Sequence, residues 1–279
     1  NNSKLLNGSF NAQTFQLGYL ASDAMVFGGI DDVRATALGT HKLIMDGSGL
    51  GALVAASSTA TSNTVSNVST SVLSTATGGT TSAIAIAAGD SAKQVADKIN
   101  VSSNSIGITA SASNAAIISG VTSAGTITFS LTGSASASIS ATISSTNDLS
   151  ALSAAINGVS GTTGITASFA SYDSKNALQL TSSDGADIKI GNFVHSAAGS
   201  ATFKEGPADI GGGTGATTTL TNANHSSVKS GIVTLASSKG AITTVNGNTT
   251  IFASATQSSS FSSVQSISVA SQTSANASL

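Results

Sequence analysis

Residues 90–111 read DSAKQVADKINVSSNSIGITAS, and residues 147–168 read NDLSALSAAINGVSGTTGITAS. Laid over one another without a gap, Ile99-Asn100 meets Ile156-Asn157 and Gly107 meets Gly164, at a single offset of 57 residues. Each stretch opens on a capping type of residue, Asp90 or Ser91 and Asn147 or Asp148, as a helix start requires. Val95 and Ile99 lie four apart, as do Leu152 and Ile156, so each pair shares one helix face. Asn100 and Asn157 suit a helix C-terminus, where asparagine tolerates the left-handed conformation. Short strand runs follow, Ile108-Thr109-Ala110 and Ile165-Thr166-Ala167.

In the second copy, Leu178-Gln179-Leu180, a Ser183-Asp184-Gly185 turn and Ile188-Lys189-Ile190 read as a hairpin. A partial echo at Val233-Thr234-Leu235, running to Lys239-Gly240, resembles that hairpin alone. The repeat is therefore placed near residues 90–131 and 147–190. Two copies are too few for a solenoid, so a compact mixed domain is expected.

The rest of the composition agrees with a strand-rich fold. Only 8% of the 279 residues are charged and 29 are glycine, so ordinary charged disorder is excluded. Thr, Val and Ile in short runs split by Gly and Asn favour many short strands. With nine Phe and no Trp, the cores must rest on Ile, Val, Leu and Ala. The expected fold class is α+β and mostly β, with two short helices in a repeated helix-plus-strands motif.

Several function classes find no support. Net charge is −2 and the ten Lys and Arg are scattered singly, so no nucleic-acid footprint exists. No apolar run is long enough to cross a bilayer, and membrane insertion is not expected. The chain has no cysteine, which removes disulfides, thiol catalysis and Cys-ligated zinc.

His41, His195 and His225 lack partners at metal-ligand spacing and read as surface or turn residues. Three carboxylate groupings stand out: Asp31-Asp32, Asp184 with Asp187, and Glu205 with Asp209. Adjacent Asp31-Asp32 before a short helical or turn segment serve as cap and dipole partners. A calcium site at Asp184-Gly185-Ala186-Asp187 lacks the ligand density of an EF-hand loop. The glycine-rich loops at 47–51 and 211–215 lack a phosphate loop's Lys-Ser/Thr ending and read as linkers or turns. No G-x-S-x-G elbow occurs. The reading assigns no catalytic, cofactor-binding or metal residue and no cofactor, and expects no enzyme activity.

Residues 4–19, KLLNGSFNAQTFQLGY, supply the family signal. Leu5-Leu6 and Phe15-Gln16-Leu17 flank Asn7-Gly8, whose positive φ suits a tight hairpin turn. Phe15 and Leu17 point to one face and Gln16 to the other. An apolar strand is expected near Met25-Val26-Phe27. The stretch resembles the inner-rod hairpin of bacterial flagellin, as does the ensuing Ala35-Thr36-Ala37-Leu38-Gly39. Residues 266–279, SISVASQTSANASL, look like the approach to the C-terminal rod helix of that family, with Ser271 as its N-cap. The helix-plus-strands unit is similar to the inserted motif of flagellin and hook-associated outer domains.

The resemblance implies an inner-rod remnant at 1–45 plus 263–279, and a variable outer domain at 46–262, as one subdomain or two. It implies a structural subunit of the flagellar filament, self-assembling for motility, secreted to the extracellular flagellum or cell surface. Its implied partners are other flagellin subunits, met mostly through segments absent here, and the flagellar export apparatus. The alternative is an adhesive or polysaccharide-binding protein on a flagellin scaffold, with surface glycans as partners and Tyr19 or Tyr172 lining shallow grooves. The start at Asn1-Asn2 and the short final helix read as a fragment.

Overall fold

The computed structural model describes residues 6–7, 13–20, 22–27, 32–59, 62–74, 78–208, 211–213 and 215–266. The chain divides into two compact units, Asn1–His41 with Phe261–Leu279, and Lys42–Ser260.

In the smaller unit, β1 (Gln13–Gln16) and β2 (Ala24–Phe27) form an antiparallel hairpin, with Phe15 opposite Met25. The hairpin expected across Asn7-Gly8 is corrected. Leu6 and Asn7 lie in a bend, Leu5 and Gly8 fall outside the described residues, and the strand carrying Phe15 pairs with the Met25 segment instead. Residues 17–23 close it, fastened by Leu17 N–H to Asp23 O at 2.8 Å and by the Gln16 amide to Gly18 O at 2.8 Å. Residues 35–37 form a turn, not a helix. The expected C-terminal helix start at Ser271 lies outside the described residues.

The strand β3 (Gly39–Met45) leads into the larger unit, followed by β4 (Leu53–Ser57). A first run comprises β5 (Val68–Ser74), β6 (Ile84–Ile86), α1 (Ala92–Ser103) and β7 (Thr109–Ser119). A second run comprises β8 (Gly125–Thr132), β9 (Ser136–Ile143), α2 (Ser150–Gly158), α3 (Ser160–Thr163), β10 (Ile165–Ser171), β11 (Ser174–Ser182) and β12 (Ile188–His195). The chain continues through β13 (Ala201–Glu205), β14 (Thr217–Leu220), β15 (Ser226–Lys229), β16 (Ile232–Ser237), β17 (Ile242–Val245) and β18 (Ser260–Ser263). The fold is α+β and mostly β, built from antiparallel sheets.

Strand registers show how far the duplication extends. Before the helix, Val68 pairs with Ile86 and Thr70 with Ile84, while Gly125 pairs with Ile143 and Ile127 with Ala141. These are the same pairings displaced by the 57-residue offset. After the helix, Ala167 faces Leu180 and Phe169 faces Leu178 on β11. The equivalent Ala110 and Ala112 face Leu235 and Val233 on β16. The fifth strands match as well: Ile190 of β12 faces Leu131, and Ile242 of β17 faces Ser74.

The echo at 233–240 is thus the missing end of the first copy. The first copy occupies 68–119 and 232–245, and the second is inserted between its two parts. The boundary of 131 expected for copy one is corrected: β8 opens copy two. Neither copy ends in the expected hairpin. β11 is already paired on both sides, with β10 and β7, so the turn at 183–187 carries the chain to β12 in another sheet.

Each copy has its own apolar core. Val95 and Ile99 pack with Val72, Ile84, Ile86, Val233 and Leu235; Leu152 and Ile156 pack with Phe129, Ile143, Ile165, Leu178 and Leu180. The α1 start carries a capping box, in which Gln94 Oε1 accepts from Ser91 N–H at 2.9 Å and Ser91 Oγ from Gln94 N–H at 3.4 Å. Such reciprocal bonds satisfy donors that a helix start leaves open.

The asparagine expectation is corrected too. The left-handed residues are Gly107 (φ 73°) and Gly164 (φ 71°), where glycine carries no Cβ penalty. Asn100 and Asn157 lie within α1 and α2, and their amides reach the strand that follows. Asn157 Nδ2 donates to Ala167 O and Oδ1 accepts from Ala167 N–H, both at 2.8 Å. Asn100 repeats this on Ala110 at 2.8 and 2.7 Å. Each amide stands in for a neighbouring strand and closes a sheet edge. Replacing Asn157 or Asn100 by Ala should each lower stability by about 1–2 kcal/mol, since two side chain–backbone bonds are lost. Urea unfolding of both variants tests this, and losses below measurement error at both sites would reject the edge-closing role.

Candidate functional site

Strand β7 joins the two copies. Its first half pairs with β16 through Ser113, and from Asn114 onward it pairs with β11. Asn114 is fully buried at this switch, and its Nδ2 donates to Ala186 O at 3.0 Å and Lys229 O at 2.8 Å. Two loops pass too close to β7 for any side chain. A Cβ on Gly185 (φ 77°) would lie 2.3 Å from Ala112 Cβ, and one on Gly211 (φ 91°) would lie 2.4 Å from Ser113.

Lys229 and Glu205 of this junction are buried with it, and Asp187 is half-buried. Lys229 has no exposed surface, although the four residues of β15 read SSVK and look half-polar. Its Nζ donates to Ser230 O at 2.6 Å and Gly211 O at 3.4 Å. Burial pushes the ammonium down to about 8, against the pull of Glu205 and Asp187. Burial likewise pushes the Asp187 carboxyl up to about 6, against a hydrogen bond from Asn63 and the charges of Lys229 and Lys189. The Asn63 bond is 2.7 Å long. Asp187 Oδ1 and Asn114 Oδ1 are buried without a partner among the described residues. Glu205 Oε2 accepts from Gly215 N–H at 2.9 Å and Ala216 N–H at 3.1 Å.

A cleft flanks this cluster on each side. One, of about 420 Å³, is lined by Ser91, Lys93 and Gln94 at the start of α1, by Gly133 and Ser134 of the β8–β9 turn, and by Asp187. The other, of about 300 Å³, contains Asp46, Glu205, Gly47, Gly51, Gly212 and Gly213. Both glycine-rich loops therefore meet at one cleft, but their amides are spent on the fold. Ser48, Gly49 and Leu50 N–H donate to carbonyls of residues 249 and 250, and Gly212 N–H to Pro207 O. Among the described residues, no row of free donors is left to cradle a phosphate.

The other residues singled out from sequence serve locally. Asp184 caps its own turn, accepting from Ser182 Oγ at 2.8 Å and Ala186 N–H at 3.1 Å, and pairs with Lys93 at 3.5 Å. Burial raises its carboxyl, but these bonds and Lys93 together hold it below the ordinary range. Asp32 chelates Arg34 through Nε at 2.9 Å and Nη2 at 2.6 Å, and the Arg34 bonds hold its carboxyl low. Asp148 accepts from Ser150 N–H at 2.9 Å ahead of α2, and the Ser150 side chain, with that backbone bond, holds its carboxyl low. Asp31 and Asp209 lie outside the described residues.

Of the histidines, His41 packs on Phe261 at 4.8 Å and His225 Nδ1 is 3.1 Å from Ser226 Oγ. His195 is a correction, since it is fully buried at the end of β12 rather than on the surface. Its Nδ1 accepts from Ala197 N–H at 3.1 Å while Nε2 faces Ser123 O at 3.0 Å, so both ring nitrogens are satisfied internally. Tyr19 and Tyr172 are fully exposed in separate turns. Among the described residues, no group of three or more His, Cys, Asp or Glu could hold a metal ion, and no helix is long and apolar enough to cross a membrane.

Lys229 and Glu205 are held by backbone groups and Asp187 by Asn63, while the Asn114 amide ties β7 of the first copy to the loop before β12 of the second. Lys229, Asn63 and Asn114 left no motif in the sequence by which they could have been found. A family model described as the flagellin hook IN motif matches residues 126–184. No curated protein is significantly similar to the chain. The matched span covers β8 through β11, so the second copy carries a flagellin hook IN motif, which supports a structural protein of flagellin or hook type.

Proposed function

We propose that the chain is the outer portion of a secreted, non-catalytic filament subunit that polymerises with further flagellin-type subunits and serves motility. The observation that carries this reading is the IN motif at 126–184, together with its second copy in the same strand register. A domain built by nesting one such motif in another suits a projecting spacer: it lengthens the subunit without new chemistry. In this reading the smaller unit, with its exposed Phe15, Leu17 and Val26, is the remnant of the rod that builds the polymer. The larger unit coats the filament surface. The charges at the junction act as fasteners and perform no catalysis.

The test is assembly. The chain carried between flagellin-type terminal helices should form filaments under export-like conditions, seen by electron microscopy with the larger unit projecting outward. Persistent absence of polymer from a folded, exported protein would reject the reading.

A further inference from the structure

We propose that Asn246 is a site of spontaneous covalent modification, where the side-chain amide is lost to the backbone nitrogen of Gly247 and a carboxylate is left behind. Gly247 N attacks Asn246 Cγ, and the new N–C bond closes a five-membered imide. The Cγ–Nδ2 bond breaks, and the side-chain nitrogen leaves as ammonia with the proton given up by the Gly247 N–H. Water then opens the imide at either of its carbonyls, giving isoaspartate or aspartate. Water is the sole co-reactant, and nothing is oxidised or reduced.

A glycine after asparagine has no Cβ to hinder the attacking nitrogen. The chain holds three such pairs, Asn7-Gly8, Asn157-Gly158 and Asn246-Gly247, and their local chemistry is the same. Gly8 lies outside the described residues, but the structure separates the other two. Asn157 is locked in place. Its Nδ2 and Oδ1 are both bonded to Ala167 at 2.8 Å, and α2 fixes the backbone through Gly158. Both bonds and the last turn of the helix must open before the ring can close.

Asn246 is under no such restraint. It follows β17 in a bend and is exposed to solvent, and its φ of 56° lies in the left-handed region that asparagine tolerates. Among the described residues, neither its side-chain amide nor the Gly247 N–H has a hydrogen-bond partner. The glycine itself is required there, since a Cβ on Gly247 would lie 2.3 Å from Ala255 O. Packing therefore retains a reactive pair. The bend leads through Asn248, whose Oδ1 accepts from Thr250 N–H at 2.8 Å, to Ile251 and Phe252, both fully buried in the core of the first copy. An isoaspartate adds one methylene to the backbone of this bend, and either product adds a negative charge to it. The change falls on the first copy and leaves the second as it was.

The test sets the native full chain beside the same chain unfolded in guanidinium, both incubated in mildly alkaline buffer, digested and mapped by mass spectrometry. In the unfolded chain Asn157 and Asn246 should convert at similar rates. In the native chain Asn246 should convert at least about tenfold faster than Asn157, whose two bonds must break first. An Asn246 that survives in the native chain while the unfolded chain converts overturns the proposal. Equal rates at the two sites in the native chain overturn it as well, because the structure would then make no selection between them.

Discussion

Lys229→Met should lower the unfolding free energy at pH 7 by about 1–3 kcal/mol, because it leaves two buried carbonyls without their donor and removes the positive charge that acts on Glu205 and Asp187. Methionine fills most of the volume, so packing is largely kept and the loss reports on charge. It strands Asp187 and Glu205, which Lys229 faces from β15, and it removes the donor to Ser230 O and Gly211 O.

The pH dependence separates this cause from a packing defect. The folded Asp187 carboxyl lies at about 6, above its ordinary 3.8. Its contribution is fully present below pH 3.8 and is lost as pH rises through about 6. Lys229 runs the other way: lowered from 10.5 to about 8, its contribution is present above 10.5 and is lost as pH falls through about 8. In the wild type these two groups therefore place a shallow minimum of stability between about pH 6 and 8. In the variant the lysine branch disappears and the aspartate branch extends to higher pH. Urea unfolding at pH 4.5, 7 and 9 should show the deficit shrinking markedly at pH 4.5. A deficit equal at all three values would mean that volume, and not charge, holds the junction.

Ile99→Ala and Ile156→Ala occupy equivalent positions and should cost about 2–5 kcal/mol each as fully buried truncations, yet they should unfold different parts of the molecule. Ile99 serves the core of the first copy and Ile156 that of the second. The second copy is continuous in sequence and can keep its strands paired while the first opens. The reverse is harder. If the second copy melts, the first must hold β7 against β16 across a flexible insert of about 110 residues, an entropic cost of about 4 kcal/mol. Native-state hydrogen exchange on Ile99→Ala should therefore show α1, β16 and β17 opening below the global free energy, with β8 and β9 still protected. Ile156→Ala should lower protection in both copies together. Equal and independent losses from the two variants would argue that the copies are not nested energetically.

Much of the fold could be read from local pattern. The helix faces of Val95 with Ile99 and Leu152 with Ile156 repeat every four residues within one segment, so no tertiary information is needed to see them. The strand after each helix, the capping role of Ser91 and the turn role of Asp184 are local in the same sense. Misreadings arose where a local rule met a distant partner. Asn100 and Asn157 have the residue type of a helix terminus, but their amides are claimed by strand backbone ten residues on. Leu178 to Ile190 has the pattern of a hairpin, but both edges of β11 are already occupied. Phe15 has a plausible turn before it, but Met25 supplies the better strand. His195 looks like a turn residue because the groups that satisfy it, Ser123 O and Ala197 N–H, cannot be seen from its neighbours in the chain.

The candidate site was the least legible part. Lys229 sits in an unremarkable run of serines, and its buried state depends on Asp187, Glu205 and Asn114, which come from three other elements. By itself, the sequence determined the class of the fold, the existence of a repeated helix-plus-strands unit and the helix faces that pack its cores, because period and capping are properties of consecutive residues. Only the tertiary structure decided that one copy is inserted within the other, that asparagine amides bond the edges of two strands, and that a lysine is buried where the copies join. Those features depend on which strands meet, and that is settled by contacts between separate segments, such as β11 and β16 against the two halves of β7.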